Sequence, residues 1–157
     1  TLAILPAAAA GDSAAIAARD KAMSWLAEHP TDGDLQNAAL RLVLWRRMER
    51  PFDEWHPLAK RILDSQNRDG GWSQADGMPS DAWAAGQALY ALSHAGIHGD
   101  DPAVERAREF LATTQRDDGS WPMTSRPIKP GGEGSKNLVP ITGAGSAWAV
   151  LGLVRSR

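Results

Sequence analysis

Few residues in this chain are equipped for chemistry, and they are scattered. Asp81 stands where a helix opens, a place the helix dipole favours for a carboxylate. Acid catalysis there would need neighbours that raise its pKa. Asp32-Gly33-Asp34 brings two carboxylates close together, in a turn that reads as a solvated helix cap. His94 and His98 have the i,i+4 spacing of a metal-ligand pair and are followed by Asp100 and Asp101, but Gly96 ends the helix between them and frees the rings from a shared face. No metal site and no cofactor are expected. His29 and His56 lie beside prolines in turns and suggest nothing further. Arg126, Lys129 and Lys136, set against one Glu133, form a basic stretch able to grip an anionic group.

The bulk composition narrows the partners. With 157 residues, 43% apolar and 23% charged, the chain has the length and make-up of one globular domain. A net charge of −2 gives no reason to expect nucleic acid. No apolar run approaches the roughly 20 residues of a membrane span. The Ala-rich opening from Thr1 to Gly11 lacks the basic region of a signal peptide. The absence of cysteine excludes disulfides, thiolate zinc sites and cysteine nucleophiles. It leaves the compartment open.

Seven Trp against one Tyr and two Phe suggest that Trp has a repeated task. Gln66 to Trp72 and Gln115 to Trp121 share the pattern Q-x-x-D-G-x-W, and Gln66, Gly70 and Trp72 recur as Gln115, Gly119 and Trp121 at an offset of 49 residues. A helical stripe precedes each copy: Trp55, Leu58, Ile62 and Leu63, with Asp53 as the expected cap, and then Val104, Ala107, Phe110 and Leu111 behind Asp101-Pro102. A more apolar helix follows each copy, from Ser80-Asp81-Ala82-Trp83 to a stop at Gly96 and from Gly145 to Val154. A weaker copy spans Ser13–Glu28 and Asp34–Met48. The expected architecture is all-α, with about three helical hairpins at 13–48, 53–95 and 101–155 and a long loop at 122–143. Thr1 to Leu5 resembles the end of a repeat's second helix, so the chain is expected to be the C-terminal fragment of a longer one.

The turn has a physical rationale. A helix ending at Gln leaves carbonyls unpaired, and a Gln amide can satisfy these or the N–H groups opening a neighbouring helix. Gly permits the positive φ that reverses the chain. Trp is expected to lie over the amide and exclude water.

Arg106 to Leu111 followed by Gln115, Gly119 and Trp121 resembles the QW repeat of squalene-hopene cyclases and the related prenyltransferases. The helix from Ser80 to Leu92 resembles that superfamily's inner helices. The likeness covers about 50–157 well and 13–49 loosely. It implies an α/α toroid, part of an α/α barrel, of which this chain supplies about half. Squalene-hopene cyclases protonate a polyene with an Asp-x-Asp-Asp motif, which is missing here, and Asp81 alone sits roughly where that acid would be. Prenyltransferase β-subunits and complement thioester domains both require Cys and are excluded as normally built.

The expectation is a catalytically incomplete binding or scaffold module for an apolar or isoprenoid-like ligand. Trp83, Tyr90 and Trp148 would line its concave face, and Arg126 would lie in a loop over the mouth. The rest of a longer chain, or self-association, would cover the exposed inner face. Two alternatives stay open. One is part of an active terpenoid cyclase whose acid lies outside this segment, and the other is a carbohydrate-active α/α barrel with paired carboxylates.

Overall fold

Aspartates start four of the helices. The side chains of Asp12, Asp34, Asp81 and Asp101 accept hydrogen bonds from the Ala15, Asn37, Ala84 and Ala103 N–H groups at 2.8–3.0 Å. Each satisfies a donor that an opening helix leaves unpaired. In the computed structural model, which describes residues 2–29, 34–127, 132 and 134–157, a 3-10 turn at Leu2–Ile4 leads into α1 (Leu5–Ala9), α2 (Ser13–Glu28), α3 (Leu35–Arg47) and α4 (Phe52–Asp64). A two-residue antiparallel ladder follows, β1 (Trp72–Ser73) and β2 (Ser80–Asp81), and then α5 (Ala82–His94), α6 (Pro102–Thr114) and α7 (Val139–Arg155). This is an all-α domain of helical hairpins. Asp32 and Gly33 of the first turn, and Ile128, Lys129 and Glu133 of the long connection, lie outside the described residues.

The chain forms two compact units, residues 1–32 and 33–157. In the first, α1 packs on α2, and α2 buries none of its residues. Its Trp25 is 57% exposed and stacks on His29 at 4.1 Å between ring centroids. The helices expected at 13–48 both form, but one belongs to each unit.

In the second unit α5 is the hub, touching α3, α4, α6 and α7. Leu89 and Leu92 are fully buried, worth roughly 1.5–3 kcal/mol each. The outer helices are amphipathic: α4 buries Leu58, Ala59 and Ile62, and α6 buries Ala103, Val104, Ala107, Phe110 and Leu111. The seam between α5 and α7 is made backbone to backbone. A Cβ on Gly86 would fall 2.3 Å from the Trp148 carbonyl, and one on Gly152 would fall 2.7 Å from the Gly86 carbonyl oxygen. Only glycine fits at either position.

Three sequence expectations are corrected. The loop expected at 122–143 ends early, because α7 begins at Val139. Pro140 sits in its first turn, where the missing N–H costs nothing, and the Thr142 N–H bonds the Leu138 carbonyl at 2.8 Å. Helix α4 is entered through Pro51 rather than capped by Asp53, which instead joins Glu54 in the first turn, where the dipole favours acids. His56 is consequently helical rather than in a turn.

Candidate functional site

The two Gln-to-Trp turns share one wiring. The Gln66 amide donates to the Gly70 carbonyl at 2.9 Å, and the Gln115 amide donates to that of Gly119 at the same distance. Asp69 and Asp118 accept from the N–H two residues on, at 2.9 Å in each case. The Trp72 indole N–H donates to the Ile62 carbonyl at 2.7 Å, and that of Trp121 donates to Leu111 at 2.8 Å. Both acceptors sit in the last turn of the preceding helix. The hydrogen bonds add a specific task to the expected chemistry: the indole caps the helix carbonyl, and the glutamine closes its own loop. Gly70 and Gly119 have φ of 86° and 81°, which L side chains rarely adopt.

The first turn delivers the chain into the β1–β2 ladder, where Trp72 pairs with Asp81. The residues that follow form a polar chain connecting two helix starts. Asp81 is 4% exposed; one oxygen caps α5 through the Ala84 N–H at 2.9 Å and the other accepts from the Gln74 amide. Gln74 in turn accepts from Arg126 twice, through its side-chain oxygen at 3.2 Å and its backbone carbonyl at 2.6 Å. The third guanidinium nitrogen of Arg126 bonds Asp34 at 2.8 Å, and the other oxygen of Asp34 caps α3 at 3.0 Å. One arginine and one glutamine thus join the caps of α3 and α5.

Burial holds the Asp81 carboxyl above its ordinary value. Hydrogen bonds from the Ala84 N–H, Gln74 and the Trp83 N–H, together with the charge of Arg126, oppose that shift. A raised pKa is what an acid catalyst needs, but both oxygens of Asp81 are already bonded to the protein. Geometrically it is a helix cap.

Beside this chain lies a cleft of about 270 Å³, walled by Gln36, Trp83, Met123, Arg126 and Ile141 among others. It sits where α3, α5 and α7 begin. Of the ligand-contact residues expected from the sequence, Trp83 and Arg126 meet here. Tyr90 and Trp148 do not: they pack edge to face on each other at 5.7 Å, about 10 Å further along α5 at 1.5 Å per residue. There Tyr90 accepts from Arg47 at 3.3 Å and contacts His94 at 5.0 Å. The His94 ring nitrogen Nε2 is buried without a partner among the described residues, and its pKa lies below the ordinary value because of burial and then Arg155, Arg47 and Arg46. Arg46 bonds the His94 carbonyl at 2.8 Å, placing a cation at the end of α5 where the dipole favours one. His98 is exposed beyond Gly96, and no group of three or more His, Asp or Glu that could hold a metal occurs among the described residues.

Sequence reasoning missed Gln36, Gln74, Met123 and Ile141 in the cleft. None lies in a repeat motif, and only the fold brings them together. The Arg126 guanidinium is engaged by Asp34 and Gln74.

Comparison with known proteins agrees with this architecture. Residues 12–115 match the Squalene-hopene cyclase N-terminal domain family. A squalene-hopene cyclase of Bradyrhizobium diazoefficiens is 31% identical over 93 residues, which is 59% of this chain and 14% of the relative. The chain therefore spans a small part of that relative's length.

Proposed function

The chain belongs to the squalene-hopene cyclase N-terminal domain family, and from that premise we propose that it is a non-catalytic binding or scaffold module for an apolar, isoprenoid-like ligand. The observation that supports this most is the state of Asp81. It is the one carboxylate placed where a cyclase acid would be expected, and both its oxygens are committed, one to the start of α5 and one to Gln74. Protonating a polyene requires an acid whose proton faces substrate, and Asp81 faces its own helix. The sequence also contains no Asp-x-Asp-Asp. The cleft to which Trp83, Met123 and Ile141 contribute apolar walls would receive a ligand.

Incubating the chain with squalene tests this reading: no cyclised product is expected, and any turnover would overturn it. A second reading is that these residues form part of an active terpenoid cyclase whose acid lies elsewhere. It draws on the relative, of which the aligned segment is 14%. An Asp-x-Asp-Asp in the full-length gene, with turnover by the full product, would favour it.

A further inference from the structure

The charged groups beside the cleft are paired with one another or with Gln74. Arg126 spends all three nitrogens on Gln74 and Asp34. Asp34 spends its two oxygens on Arg126 and the Asn37 N–H, and Asp81 spends its two on Ala84 and Gln74. One arginine balanced by a partnered carboxylate, with a second carboxylate behind it, offers an incoming anion no net attraction.

Of the cleft-lining residues, one has a buried side-chain polar atom with no partner among the described residues. The indole N–H of Trp83 is shielded from solvent and has no acceptor among the described residues. A buried donor in that state is costly to leave unpaired. Trp83 lines the cleft together with Ile141 and Met123. Met123 is an unbranched side chain that adapts to what it packs against, and the contact proposed below requires a shift of it or of the indole to bring an acceptor to the N–H. The volume of about 270 Å³ lies just below the usual range for drug-sized ligands, which points to something small.

We infer that this cleft binds a small neutral molecule with an apolar body and one hydrogen-bond-accepting oxygen, which pairs with the Trp83 N–H, and that it discriminates against phosphorylated forms of the same molecule. The inference rests on the binding-module reading and adds the chemical class to it.

Three probes test it by calorimetry on the purified chain: geraniol, geranyl diphosphate and the saturated hydrocarbon 2,6-dimethyloctane. Geraniol is expected to bind most tightly and to shift the Trp83 indole signal in a ¹H–¹⁵N spectrum, assigned by its loss in Trp83→Phe. That variant keeps most of the ring and should bind geraniol about five- to tenfold more weakly, as expected for one hydrogen bond. Equal geraniol affinity in Trp83→Phe, or an unmoved Trp83 signal in the native chain, would overturn the assigned contact even if the variant folds poorly. Tighter binding of geranyl diphosphate would overturn the neutrality of the site and leave the binding module standing. Equal binding of the hydrocarbon would overturn the acceptor. Failure of all three probes to bind would overturn the inference and the module reading together.

Discussion

The turns at 66–72 and 115–121 have the same internal hydrogen bonds and different surroundings. In the first, the Gln66 amide also donates to the Ala103 carbonyl at 2.8 Å, and its oxygen accepts from Arg106. Gly70 lies so close to α6 that a Cβ would fall 2.5 Å from the Arg106 carbonyl oxygen, and a Cβ on Gly71 would fall 2.9 Å from the Phe110 ring. In the second, Gln115 and Gly119 are exposed, and a Cβ on Gly119 would meet nothing within 4 Å. The motif is therefore a self-contained fastener for the helix it ends. Receiving the next outer helix is an added use of its outer surface, made at one turn and not at the other.

Substitutions of the two tryptophans attack the part held in common. Trp72 is fully buried and Trp121 is 3% exposed. Replacing either with Ala should cost about 3–5 kcal/mol, read by denaturant unfolding. Nearly equal losses are expected; a small loss at Trp121 would mean that the fastener depends on its neighbour after all. The glycines should separate the two turns. Gly119→Ala meets only the strain of positive φ, about 1–2 kcal/mol, whereas Gly70→Ala adds the clash with Arg106 and should lose clearly more. Equal melting temperatures for the two variants would break the comparison.

The glutamines sharpen it at smaller scale. Gln66→Ala removes three partners and Gln115→Ala removes one, so losses of about 1–3 and about 0.5–1.5 kcal/mol are expected by chemical denaturation. The smallest effect concerns acid. The Asp118 carboxyl is held below its ordinary value, first by the Ser120 hydroxyl and then by the Ser120 N–H. A depressed folded-state pKa gives stability that is present above the unfolded value and is lost as pH falls through the folded one. Asp118→Asn should therefore slightly flatten the acid limb of the melting curve, measured below about pH 4. An unchanged limb would show that Asp118 adds nothing to the turn.

What was legible in the sequence follows from the range of each interaction. The turn is local: Gln, Asp, Gly and Trp lie within seven positions and bond one another or the helix just behind, so spacing alone exposes it. The stripes on α4 and α6 are legible for the same reason, since period reports the buried face. The cleft is long-range. Arg126 meets Asp34 across 92 positions and Gln74 across 52, and no spacing rule joins an arginine in a loop to the cap of a distant helix. Trp83 and Tyr90 share α5, and their spacing along it is legible, but which of them meets the cleft and which meets Trp148 depends on how α7 docks, which pattern does not reveal. The family match begins at residue 12 and so takes in the stretch where the repeat was faintest. In that stretch the Gln and Trp of the motif are gone, and the helix-capping aspartates Asp12 and Asp34 are what mark the helices.

The glycine seam between α5 and α7 has a mechanical consequence. Two backbones in direct contact have no torsion to turn when something intrudes, so a misfit there is not absorbed where it arises. A methyl at Gly152 would act on α7 as a wedge acts on a rigid bar. Ile141, eleven residues and about 16 Å away at 1.5 Å per residue, would swing at the far end and move one wall of the cleft. Gly152 thus keeps α7 seated on α5 by what it lacks, a side chain.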